Sequence, residues 1–138
     1  MKRNFWKVVY RCGHRGAFLL FLALLDGLYG YSLFIEPGPT VSIDLWFPVP
    51  VWAIIWLVTG LILLTGVFAI HDRIHYALAA TVKAAWAAAW LNIWIFGTVP
   101  RAWISVVIWA AFAATVVVVS SWPEKRRERV TEPSEGEL

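Results

Sequence analysis

The stretch "LLFLALLDGLYGYSLF", residues 19–34, is an apolar run with one carboxylate, Asp26, set in its middle. The run is continuous rather than alternating, which is the pattern of a helix and not of a barrel strand. Lipid offers no partners for open backbone hydrogen bonds, so a segment of this kind crosses a bilayer as a helix. Crossing about 30 Å of hydrocarbon takes roughly 20 mostly apolar residues. Four windows qualify: 16–35, 49–70, 76–96 and 102–122. The second and fourth contain no Asp, Glu, Lys or Arg, the first contains only Asp26, and the third only Lys83.

Composition agrees with this reading. The chain has 138 residues, of which 60% are hydrophobic and only 15% charged, whereas soluble domains carry about 25% charged residues. The expected fold class is therefore all-α, an integral membrane four-helix bundle. The expected organisation is a basic segment at 1–15, a four-span domain at 16–122 and a charged, disordered tail at 123–138, "PEKRRERVTEPSEGEL". Pro48 and Pro50 suit the entry to the second helix, while Gly97 and Pro100 punctuate the third connection.

The cations set the expected orientation. Lys2, Arg3, Lys7, Arg11 and Arg15 precede the first span, Arg73 lies between the second and third, and Lys125, Arg126, Arg127 and Arg129 follow the fourth. The first loop has none and the third only Arg101. The positive-inside bias then places both termini and the second loop of this multi-pass chain on the cytoplasmic side. Glu36 and Asp44 in the first loop face outward, and Trp46, Phe47 and Trp52 join an interfacial aromatic belt. The pI of about 9.3 follows from topology and attraction to anionic headgroups, so the bilayer is the expected partner and nucleic acid is not. The first apolar run is too long for a secretory signal and no A-x-A-like site follows it, so it reads as a retained helix. Cys12, the single cysteine, has no internal disulfide partner. As a juxtamembrane thiol it is open to reversible acylation.

Asp26 lies roughly 15 Å past Gly16, near the bilayer midplane. A charge there costs about 2.5 to 3.5 kcal/mol on insertion scales. Lys83 lies about 10 Å past Tyr76 on a span that starts from the same side, so the two charges come at comparable depth. Ala23 and Gly30 fall on the same face as Asp26, with Gly27 at its edge, and Lys83 shares a stripe with Ala80, Ala87, Trp90 and Trp94. These small residues allow close helix approach. An Asp26–Lys83 ion pair or water-bridged contact is the expected intramembrane site. Two alternatives remain open at this point: Lys83 can snorkel toward headgroups, and Asp26 can be neutralised by desolvation.

Trp86, Trp90 and Trp94, spaced by four, form an aromatic stripe that could stack on a lipid, quinone or pigment or simply pack against neighbouring helices. "HDRIH" sets His71 and His75 at i and i+4, and His14 could add a third nitrogen, but the H-E-x-x-H signature is absent. No metal or other cofactor is expected. There is likewise no G-x-S-x-G, no phosphate-cradling glycine loop and no paired carboxylate within a helix, so an enzyme is not expected.

The segments "HRGAFLLFLALLDGLYGYSLF" (14–34) and "RAWISVVIWAAFAATVVVVSSWPE" (101–124) resemble small four-span membrane proteins of actinobacterial phages, several of them treated as holin-like members of lysis cassettes. Arg15, Gly16, Asp26, Tyr29, Gly30, Trp122 and Pro123 carry the least generic part of the likeness. The resemblance implies a homo-oligomer in a bacterial cytoplasmic (inner) membrane that permeabilises it in functional partnership with an endolysin, and it brings no catalytic residues. Surfaces for association would be Ala23, Gly27 and Gly30, then Gly60, the third helix from Ala77 to Ala89 including Ala80, Ala84 and Ala87, and Ala110, Ala113 and Ala114. A second reading is a ligand-binding or redox-linked bundle resembling DoxX-like proteins. A third is an accessory or channel subunit.

Overall fold

The computed structural model describes residues 2–35, 47–69, 72–97 and 99–123, and side chains from residue 13 onward within that set. Its elements are four helices: α1 Lys2–Ile35, α2 Val49–Gly66, α3 Arg73–Ile95 and α4 Ala102–Ser121. All four are long and apolar enough to cross a membrane, the qualifying part of α1 being Gly13–Ile35. The regular structure among the described residues is thus all-helical, as the unbroken apolar runs require.

The helix ends differ from the hydropathy windows for local reasons. α1 begins before residue 16 but is interrupted at Gly13, whose φ of 65° and ψ of 179° are not helical. Glycine tolerates that left-handed φ because it has no Cβ. α2 starts after Pro48, whose carbonyl accepts from Val51 and Trp52, and Pro50 sits in the first turn, where its missing N–H is no loss. It stops at Gly66, short of residue 70, because the chain tightens into a turn in which Val67 N–H donates to Leu64 O. α3 opens at Arg73, three residues ahead of its window: Asp72 O accepts from His75 and Tyr76, and charged residues are excluded by a hydropathy threshold but not by a helical hydrogen bond. Gly97 takes a positive φ of 71° after α3, and Arg101 takes φ 69° immediately before α4. Of the tail expected at 123–138 and the first loop at 36–48, residues 124–138 and 36–46 lie outside the described residues.

α1 packs most closely on α2 and α3 on α4, so the molecule is built of two antiparallel helical hairpins, with slighter contact between α2 and α3 and less again between α1 and α3. Lipid tails are as apolar as leucine, so such hairpins are held by close packing and polar contacts rather than by exclusion of water. Small residues supply the close packing. A Cβ added to Gly30 would stand 2.9 Å from both Ala53 O and Leu57 N, and one added to Gly60 would stand 2.9 Å from Ala23 O and 3.1 Å from Gly27 N. The backbones of α1 and α2 are therefore nearly in contact. Ala23, Gly30 and Gly60 are used up in this joint, so any self-association has to employ other faces. Ala84 on α3 and Ala110 and Ala114 on α4 are exposed, and Ala80 and Ala113 are partly so. On α4 only Ala102 and Val116 are buried.

The interior divides into two clusters along the bundle. One is aliphatic, with Leu19, Leu22, Ala23, Leu63, Val67, Ala79 and Val116 beside Tyr76. The other is aromatic, centred on Trp52, Trp56 and Trp86, with Tyr29, Trp90 and Trp109 packed against it.

The α1–α2 joint makes two glycines distinguishable. Gly30→Ala should destabilise the detergent-solubilised protein by about 1 to 3 kcal/mol through overpacking. Gly27→Ala, where an added Cβ meets nothing within 4 Å, should be neutral or gain up to about 1 kcal/mol in helix propensity. Thermal unfolding followed by circular dichroism reads both, and equal losses would contradict the packing.

Candidate functional site

Asp26 and Lys83 meet where the two clusters join. Asp26 follows Leu19, Leu22 and Ala23 on the buried face of α1, at spacings of three and four, and Lys83 lies between Ala79 and Trp86 on the buried face of α3. Lys83 Nζ donates to Asp26 Oδ1 at 2.7 Å and to Oδ2 at 2.9 Å, a direct bidentate contact without a bridging water. Both side chains are 0% exposed. The ammonium also stands 5.2 Å from the ring centroid of Trp56 and 5.9 Å from that of Phe112, so aromatic faces add to its stabilisation. Lys83 therefore does not snorkel to a headgroup in this structure. The pair ties α1 to α3, two helices that otherwise make little contact.

Tyr29 lies one turn beyond Asp26 on α1. Its ring centroid is 4.9 Å from Trp56, 6.0 Å from Trp86 and 5.0 Å from Trp109, and its hydroxyl accepts a 3.1 Å hydrogen bond from Trp86 Nε1. Trp52 and Trp86 stand edge to face at 4.7 Å. Such tilted and edge-to-face arrangements are the favoured ones for aromatic rings. The stripe read along α3 is thus divided. Trp86 is fully buried and Trp90 partly so, 6.5 Å from Trp86, but Trp94 is 50% exposed and lies outside the cluster. Its place is taken by Trp52 and Trp56 of α2 and Trp109 of α4. The one-helix view missed them because it compared residues only within a helix; the i, i+4 spacing of Trp52 and Trp56 with Gly60 following was the available signal.

A second polar joint closes the opposite end. Arg15 Nη2 donates to Asp72 Oδ1 at 2.7 Å, and Arg15 Nη1 reaches the Trp122 carbonyl at 3.3 Å. Tyr76 donates its hydroxyl proton to Arg15 O at 2.8 Å, and the guanidinium lies 5.3 Å from the Tyr76 ring centroid. One arginine thus joins the start of the α1 span, the start of α3 and the end of α4, where a cation complements free helix-terminal carbonyls. The sequence marked Arg15 as a topogenic charge but did not show this contact, since Asp72 and Trp122 are distant in the chain. His75 Nε2 lies 3.3 Å from Thr65 Oγ1, with its ring packed over Gly66. His14 is exposed, and His71 and the side chain of Cys12 fall outside the described residues. Among the described residues no three His, Cys, Asp or Glu side chains converge.

No family model, no curated protein and no solved structure matches this chain.

The ion pair predicts a specific mutational cycle. Asp26→Leu and Lys83→Met each leave one buried charge alone and should cost about 3 to 5 kcal/mol, whereas the double variant should recover most of the loss because a neutral pair of similar volume needs no desolvation. Thermal unfolding in detergent measures all three variants. Strictly additive losses would contradict a direct interaction.

Proposed function

We infer that this chain is a small holin-like protein of a bacterial cytoplasmic membrane, lying with both termini in the cytosol and permeabilising that membrane after self-association. The observation that carries the reading is the fully buried Asp26–Lys83 pair at the junction of two hairpins. Ionisable residues inside a membrane domain are costly, and the commonest reason for keeping them is a working role. Here they serve as a polar latch. Closed, the pair is satisfied within one molecule. Parted, each group requires water or a partner from another copy, which a water-lined assembly provides and lipid does not.

Further support comes from the surface. α4 is apolar and packs on α3 by one side only, with Ala110 and Ala114 on its exposed side. This leaves a helix face free to meet another copy while α1 and α2 stay joined. The charge distribution supports the orientation: Arg15 and Arg73 lie at the end where α1 enters and α2 leaves, while Arg101 stands alone among the described cations at the other. In this reading an endolysin is the functional partner, acting once the membrane barrier has failed.

Inducible expression in a bacterium, monitored by a potential-sensitive dye and turbidity, tests the proposal. Wild-type protein should depolarise the cells once it has accumulated. The Asp26→Leu/Lys83→Met variant should insert to the same level yet fail to depolarise, because the closed bundle no longer has a charge to rehydrate. Continued growth at full potential with abundant membrane-inserted wild-type protein would refute the reading, and identical onset in the double variant would refute the latch.

A further inference from the structure

The aromatic half of the interior contains more hydrogen-bond donors than acceptors. Indole N–H groups donate and cannot accept. Trp52 is 2% exposed and Trp56 0% exposed, and the Nε1 atoms of both, together with Nε1 of Trp90, are buried without a hydrogen-bond partner. Trp86 Nε1 is the contrasting case, since it donates to Tyr29. The nearby acceptors are already engaged: both carboxylate oxygens of Asp26 receive Lys83, and the Tyr29 hydroxyl receives Trp86. Buried donors without acceptors are rare in native interiors, because each forfeits its solvation without recompense. Two more buried nitrogens without a partner, Arg15 Nε and His75 Nδ1, lie at the opposite end, but the three indoles share one cluster of side chains.

The two ends of the bundle differ in how they reach this region. Toward Arg15 the interior is filled by Leu19, Leu22, Leu63, Val67, Ala79 and Val116, whose side chains offer no donor or acceptor, and the Arg15–Asp72–Tyr76 contacts close it. Toward the other end, Trp52 is within a turn of the start of α2, and Trp90 is little more than a turn from the end of α3. Acceptors that approach from that side cross no aliphatic layer.

We propose that Trp52, Trp56 and Trp90 form a donor site for a neutral oxygen acceptor that enters from the end where α1 stops and α2 begins. The chemistry is that of a lone-pair oxygen small enough to lie among indole rings. Water supplies it, and so does the ester carbonyl of a phospholipid acyl chain. Either occupant brings a polar atom to within one residue layer of the Asp26–Lys83 pair from one side only. The site stands apart from the lysis reading, because it requires neither self-association nor depolarisation.

The test uses full-length protein with 15N-indole tryptophan in nanodiscs, one set of ester-linked and one set of ether-linked phosphatidylglycerol, the ether lipid lacking the carbonyl. Single Trp→Phe variants assign the signals. With water as occupant, the indole protons of Trp52, Trp56 and Trp90 exchange into deuterium oxide at least tenfold faster than that of Trp86, equally in both lipids. With the ester carbonyl as occupant, the same three indole resonances move between the two lipids while Trp86 stays in place. Three indole protons that are as protected as that of Trp86 and indifferent to the lipid would overturn the proposal.

Discussion

A carboxylate and an ammonium that have both lost all contact with solvent can remain charged only while they remain together. The Asp26–Lys83 contact therefore restricts more than two side chains. α1 cannot slide or rotate against α3 without leaving one charge facing hydrocarbon, and the penalty of parting the pair exceeds the net stabilisation of forming it. α1 and α3 otherwise touch sparingly, so between these two helices the pair is the main tie, while the Trp52, Trp56 and Trp86 rings and the His75–Gly66 contact join α2 to α3. Within each hairpin, by contrast, the fit is made by shape: Gly30 and Gly60 bring α1 and α2 almost to backbone contact.

The pair also marks a change in the character of the interior. On the Arg15 side the core is aliphatic and closes with the Arg15–Asp72–Tyr76 contacts at the helix ends. On the other side it is aromatic, and its rings carry N–H and O–H groups whose donors outnumber their acceptors. A charge pair between a dry layer and a donor-rich layer has an intrinsic direction of access. The same asymmetry bears on the lysis reading, because water admitted from one end would meet the latch before it met the aliphatic layer.

Much of this was legible in the amino acids and some was not. The number of helices follows from run length, since each span must satisfy its own backbone, and the Asp26–Lys83 contact follows from matching depths along helices of known rise. Ala23, Gly30 and Gly60 were readable as sites of close approach because a missing side chain has the same consequence in any helix. Their partner was not readable, so surfaces considered for contacts between copies turn out to be occupied within one chain. The helix ends were misjudged where hydropathy and hydrogen bonding part company, at Gly66 and Arg73. The Arg15–Asp72–Trp122 joint and the interhelical tryptophan cluster depend on contacts between residues far apart in the chain, which no periodicity within one segment encodes. Trp94 illustrates the converse, as a residue in perfect register with Trp86 and Trp90 that the bundle leaves on its outside.

The central claim is that two opposite charges join α1 to α3 in direct contact within lipid. Solid-state NMR of bilayer-embedded protein labelled with 13C at the Asp26 carboxyl and 15N at Lys83 Nζ addresses it directly. The account predicts an ionised carboxyl signal with strong dipolar coupling to Nζ, in keeping with N···O distances of 2.7 and 2.9 Å. A protonated carboxyl signal, or the absence of coupling between the two labels, would contradict it.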